Sequence, residues 1–173
     1  MKRKALLVID MLNDFIDSSG VLFVGNTGEK LVETISGKLD EFRRHKNPII
    51  YVCDNHRADD PEFDMFPPHC VEGTWGAKIV AGLKPEEKDF VVKKRRYSAF
   101  FGTDLDLTLR EEGIEEIVLT GVCTNICVLY TACDARMRNY RVVVPADAVT
   151  SFSETGHSFA LEEMKNVLGV DVV

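Results

Sequence analysis

Short apolar, β-rich runs that alternate with longer helical patterns limit this chain to one class of fold. Ala5 to Ile9, Ile49 to Cys53, Phe90 to Val92, Ile117 to Thr120, Arg141 to Val144 and Val170 to Val173 are the apolar runs. Helical patterns cover Glu29 to His45, Leu105 to Glu112, Asn125 to Asn139 and Glu154 to Leu168, the last with Phe159, Met164, Val167 and Leu168 at helical spacing and Gly169 as its stop. Parallel strands need a long crossover between them, and a helix is the usual one. The alternation therefore predicts a three-layer α/β/α fold around a mostly parallel sheet of about six strands. A chain of 173 residues, 45% apolar, suffices for one good core, so residues 1–173 are expected to form a single domain.

The net charge of -7 comes from acidic residues scattered along the chain. It offers no basic surface for nucleic acid or an anionic membrane, and a small molecule is the expected partner. The start, Met1-Lys2-Arg3-Lys4, is basic, but the apolar run behind it ends at Asp10. That run is too short for a signal-peptide core or a membrane span, which makes a cytoplasmic location the expectation. Of five cysteines, Cys123, Cys127 and Cys133 crowd one helical segment, a poor disulfide framework, so all are expected as reduced thiols.

In an open parallel sheet, ligands bind beyond the carboxyl ends of the strands. Those ends offer Asp10, then Asp54 and His56, then Lys93 and Lys94, and then Gly121 to Cys127. Cys127 lies just inside a helix start, with Thr124 or Asn125 as N-cap. Free backbone N–H groups and the positive end of the helix dipole should lower its thiol pKa and can hold an oxyanion. A thiol nucleophile needs a proton acceptor and a nearby cation, and Asp10 and Lys94 stand at strand ends within reach. Asp54 and His56, two residues apart, share one face of an extended segment. With His69 from the following loop they make a two-imidazole, one-carboxylate set suited to a divalent metal. His45 and His157 read as surface or capping residues.

These residues lie in stretches that resemble the isochorismatase-like cysteine hydrolases, and among them the nicotinamidase/pyrazinamidase group. The stretches are Val8-Ile9-Asp10-Met11-Leu12-Asn13-Asp14-Phe15, Asp54-Asn55-His56, Phe66 to Thr74, Lys94 to Phe100 and Gly121 to Val128. They run in family order over essentially the whole chain. The resemblance implies the isochorismatase-like hydrolase fold, a triad of Asp10, Lys94 and Cys127, and metal ligands Asp54, His56 and His69. Lys94 takes precedence over Lys93 because the family lysine stands three residues before the tyrosine of Tyr97-Ser98-Ala99-Phe100. Also implied are a cis peptide between Val122 and Cys123, and an oxyanion hole made by the N–H groups of Cys123 and Cys127.

The implied reaction is nicotinamide hydrolysis to nicotinate and ammonia through a thioester, as in NAD salvage. One divalent metal, zinc first with manganese or iron as alternatives, would anchor the pyridine ring. Phe15, Phe66 and Tyr97 would wall that ring, and the protein would be a homo-oligomer, as family members often are. Two positions depart from the family pattern: Leu12 stands where glutamine is usual, and Cys123 where alanine is usual. True isochorismatases work without the cysteine, and N-carbamoyl amide hydrolases keep the triad but lack the metal set, so both residue groups together favour nicotinamidase. A catalytically silent binding module has no need of either set.

Overall fold

The computed structural model of the protein describes residues 3–173; Met1 and Lys2, half of the basic start, lie outside them. Seven strands form one sheet: β1 (Lys4–Ile9), β2 (Ile49–Asp54), β3 (Phe90–Lys94), β4 (Glu116–Val122), β5 (Arg141–Val144), β6 (Val149–Thr150) and β7 (Asp171–Val172). Their order is β3-β2-β1-β4-β5-β7, with β6 pairing the far end of β4. Every pairing between these strands is parallel. The sheet has one strand more than the expected six, because the two-residue β6 joins at Gly121 and Val122.

The helices are α1 (Asn13–Ile16), α2 (Asn26–Arg44), α3 (Leu105–Glu111), α4 (Leu129–Met137) and α5 (Glu154–Asn166). Side chains of β1 alternate between two cores, as a strand buried on both faces requires. Ala5, Leu7 and Ile9 join Leu105, Leu109, Ala132, Ala135 and Met164 of α3, α4 and α5 on one face. Leu6 and Val8 join Leu31, Ile35, Leu39 and Phe42 of α2 on the other. The α2 residues recur every three or four positions and form its buried stripe. Truncation at one of them, as in Leu39→Ala, should cost about 2–5 kcal/mol. This is the three-layer α/β/α arrangement expected from the sequence.

The chain reverses its direction of winding between β1 and β4, and at such a switch point the carboxyl ends of neighbouring strands open a crevice. Two local features shape it. Asp10, directly after β1, has a φ of 51°, a turn that throws its side chain across the strand ends. Gly121 has a φ of 107°, and a Cβ there would lie 2.0 Å from the Ile9 carbonyl oxygen, so only glycine lets β4 pass β1 this closely.

Candidate active site

β4 runs into a single π-helical turn, Thr124–Val128, before α4 begins. Neither Thr124 nor Asn125 caps it, contrary to the sequence expectation. Cys123 occupies the N-cap position without a side-chain bond. The Thr124 hydroxyl is instead 2.8 Å from Nδ1 of the half-buried His157, and Asn125 Oδ1 accepts the Ser151 hydroxyl. His157 is thus no free surface residue, whereas exposed His45 does sit at the C-cap of α2. The Cys123 carbonyl accepts the amides of Ile126 at 3.0 Å and Val128 at 3.2 Å, skipping that of Cys127 between them. The Val122–Cys123 peptide is cis.

The structure brings Asp10, Lys94 and Cys127 together at 7% exposure or less. Lys94 Nζ stands 2.8 Å from Asp10 Oδ2, 2.5 Å from Asp54 Oδ1 and 3.4 Å from Cys127 Sγ. Lys93, one residue earlier, points outward to Glu72. Asp10 Oδ1 accepts the Asp54 amide at 2.8 Å, which fixes the carboxylate. Its Oδ2 faces the ammonium without a well-aligned hydrogen bond, leaving a lone pair free beside the thiol.

Burial opposes the charge on Lys94, but the carboxylates of Asp10 and Asp54 prevail and hold its pKa well above lysine's usual value. Burial and the Asp54 charge push the Asp10 carboxyl up to about 6, against the pull of Lys94. Asp54 goes the other way, to about 2, because Lys94 and His56 outweigh its burial. Burial drives the Cys127 thiol well up, with Lys94 opposing and Asp10 and Asp54 adding to the rise. The expectation of a lowered thiol pKa is therefore corrected: loss of water, with the charges of Asp10 and Asp54 adding to it, outweighs the pull of Lys94.

Asp54 turns its second oxygen to the opposite side. Oδ2 lies 3.7 Å from His56 Nε2 and 3.9 Å from His69 Nε2. His56 Nδ1 is 3.1 Å from Asp60 Oδ2, and His69 Nδ1 is 2.9 Å from the Pro67 carbonyl. Acceptors at both Nδ1 atoms favour the tautomer with the proton there, which leaves both Nε2 atoms beside Asp54 Oδ2 free to accept. His56 Nε2 is buried with no hydrogen-bond partner, a cost that a bound cation would relieve. The three donor atoms lie within 4.8 Å of one another. This donor chemistry fits a divalent metal with open coordination positions.

A cavity of about 350 Å³, its open mouth included, joins the two groups. Phe15, Phe66 and Tyr97 all line it, with Leu22, Ile126 and Phe152. The Phe15 and Phe66 rings meet His69 edge-on at 5.7 and 6.1 Å. Tyr97 leans on Tyr130, and its loop is tied to α4 by Ser98 to Asp134 and by the Ala99 amide to Thr131. Of the two departures, Cys123 faces the cavity, while Leu12 is buried in the core beneath α2. Asp14, a motif residue without an assigned role, accepts the Cys70 amide at 2.7 Å and so holds the loop that carries His69.

The sequence matches the Isochorismatase domain over residues 4–172. The chain belongs to the isochorismatase family. Three solved structures are similar to it over nearly its whole length. Nicotinamidase/pyrazinamidase PncA from Bacillus subtilis is 39% identical, with a TM-score of 0.94 and 99% of each chain covered. N-carbamoylsarcosine amidase from Thermoplasma acidophilum is 37% identical, with a TM-score of 0.91 and 98% and 95% covered. Pyrazinamidase of Pyrococcus horikoshii in complex with zinc is 32% identical, with a TM-score of 0.92 and 99% and 98% covered.

In this isochorismatase-family hydrolase the sequence reading missed three residues beside the imidazoles. Glu62 is buried, and its Oε1 lies 4.0 Å from His56 Nε2, so a second carboxylate borders the imidazoles. Burial raises its pKa, and Asp54 adds to the rise. Asp60 caps the turn Pro61–Asp64 through the Glu62 amide and also holds His56. Arg96 reaches both carboxylates. Only the Asp60-Pro61 pair carried a sequence signal, that of a helical start.

Proposed function

We propose that this protein, acting as one domain over residues 1–173, hydrolyses nicotinamide to nicotinate and ammonia through a thioester on Cys127. The observation that carries the reading is Asp54: one oxygen faces Lys94 beside the thiol and the other faces two imidazoles, within one apolar cavity. Such a layout can hold a ring nitrogen at one end of a small amide and attack its carbonyl at the other. The names of the Bacillus and Pyrococcus neighbours support the same substrate class.

Asp10 takes the proton from Cys127 Sγ while Lys94 steadies the thiolate that forms. The thiolate attacks the carboxamide carbon, and the new oxyanion faces the amides of Cys123 and Cys127. The C–N bond breaks as Asp10 returns the proton to the leaving ammonia. Asp10 then accepts a proton from water, whose oxygen attacks the thioester. The C–S bond breaks, nicotinate leaves, and the proton returns to the thiolate. Phe15, Phe66 and Tyr97 wall the ring. A divalent metal on Asp54, His56 and His69, zinc first with manganese or iron as alternatives, would supply an anchor for the pyridine nitrogen and so orient the ring.

A second reading keeps the thiol cluster but takes another small amide or an N-carbamoyl compound, and the Thermoplasma neighbour favours it. The test is ammonia release from nicotinamide by the purified protein, beside Cys127→Ala and a metal-stripped sample. Turnover lost in the variant and weakened by stripping supports the first reading. An intact, metal-loaded protein that ignores nicotinamide but turns over N-carbamoyl compounds supports the second. A cytoplasmic, homo-oligomeric enzyme is part of the proposal. No helix among the described residues is long and apolar enough to cross a membrane, and fractionation and light scattering test location and assembly.

A further inference from the structure

Three charged residues around the imidazoles take no part in the steps above. Arg96, two residues beyond Lys94, sends one guanidinium nitrogen to both oxygens of Asp60, at 3.0 and 3.3 Å. The same nitrogen is 3.8 Å from Glu62 Oε2. The Asp60 and Glu62 side chains are only 3% and 5% exposed, while that of Arg96 is 43% exposed. Asp60 spends its oxygens on three partners: Arg96, the Glu62 amide at 3.0 Å and His56 Nδ1 at 3.1 Å. A chain of contacts thus runs from the surface through Arg96 and Asp60 to His56, with Glu62 held alongside.

Two carboxylates buried around one guanidinium nitrogen repel each other, and Arg96 is the permanently charged group that both of them meet. Without it, Asp60 has less reason to stay oriented toward His56, and Glu62 less reason to stay beside His56 Nε2. Its location also matters. Arg96 belongs to the segment that follows β3 and delivers Lys94, whereas Asp60 and Glu62 belong to the turn after β2. The guanidinium therefore fastens the loop of the thiol cluster to the loop of the imidazole set.

We propose that Arg96 is a positioning residue for the metal site. Through Asp60 it fixes the ring orientation and tautomer of His56, and it holds the Glu62 carboxylate beside His56 Nε2, at the edge of the site that Asp54, His56 and His69 offer a divalent cation. The inference rests on the metal-binding part of the function proposed above. Groups that orient a metal-bound histidine are typically worth about 10- to 100-fold in metal affinity.

The experiment measures zinc and cobalt dissociation constants by equilibrium dialysis for the wild type, Arg96→Ala, Arg96→Gln and Arg96→Lys, with no substrate present. The visible spectrum of the cobalt-loaded protein reports the donor set, and thermal melting of the metal-free protein reports the fold. Arg96→Ala and Arg96→Gln should weaken both metals roughly 10- to 100-fold and change the cobalt spectrum. Melting of the metal-free protein should stay close to wild type. Arg96→Lys, a point charge in place of a planar fork, should recover part of the affinity. Wild-type affinity and an unchanged cobalt spectrum in Arg96→Ala or Arg96→Gln would overturn the proposal. So would a variant that melts early yet, once folded, binds metal normally. A wild type that binds neither metal would instead remove the metal from the proposed function, and this inference with it.

Discussion

Replacing Lys94 by methionine keeps most of the side-chain volume and removes the ammonium that stands within 2.8 Å of two buried carboxylates. Breaking a buried ion pair by deleting one partner typically costs about 3–5 kcal/mol, because the remaining charge is left without water or counter-ion. The sign with pH follows from the folded-state shifts. In the wild type, Lys94, aided by His56, holds Asp54 down at about 2, below its unfolded value of 3.8; that contribution is present above 3.8 and lost as pH falls toward 2. In the variant, burial and mutual repulsion lose their main opponent, so the Asp10 carboxyl, already above its unfolded value at about 6, rises further, and that of Asp54 moves up from about 2 although His56 still favours its charged form. A carboxylate raised above its unfolded value costs stability at neutral pH, and the cost is relieved as pH falls and the folded state takes up a proton. Lys94→Met should therefore lose about 3–5 kcal/mol at pH 7 and clearly less at pH 5. Urea unfolding of metal-free wild type and variant at both pH values reads this directly. A loss below about 1 kcal/mol at pH 7, or one equally large at pH 5, refutes the reasoning.

Three other substitutions follow from the same geometry. Gly121→Ala places a methyl group 2.0 Å from the Ile9 carbonyl at a φ of 107°, and should destabilise the protein by at least about 2 kcal/mol in chemical unfolding; wild-type stability would mean that β1 and β4 are not so close. Asp10→Asn keeps the shape but removes the proton acceptor, and kcat for ammonia release should fall roughly 10²- to 10⁴-fold; a variant within tenfold of wild type takes the base role from Asp10. Cys123→Ala should retain turnover, since the proposed reaction uses only the backbone amide of Cys123; a loss as deep as that of Cys127→Ala would give its thiol a chemical role.

The sheet was legible because its central strands are buried on both faces and read as unbroken apolar runs. β6 was not: Val149–Thr150 is two residues long and follows a turn, too short to show any period. Strand ends brought Asp10, Cys127 and the pair Lys93 and Lys94 to one edge, since a parallel sheet delivers those ends together, and the family pattern was needed to choose Lys94. The π-helical turn could not, because a one-residue shift in hydrogen bonding leaves no trace in apolar spacing. The thiol was misjudged for a related reason. Its place at a helix start is visible in sequence, but the burial that chiefly raises its pKa, and the ammonium and two carboxylates around it, are tertiary facts. Asp60, Glu62 and Arg96 sit in charged stretches that read as solvated surface, and only the fold turns the two acids inward.

Cys127 as the covalent nucleophile is best examined by mixing the metal-loaded protein with nicotinamide, quenching in acid within a turnover and mapping the digest by mass spectrometry. A nicotinoyl group on the Cys127 peptide, absent from Cys53, Cys70, Cys123 and Cys133 and absent from Cys127→Ala, is the expected result. Nicotinamide turnover that persists in Cys127→Ala, or an acyl group carried on another residue, would contradict it.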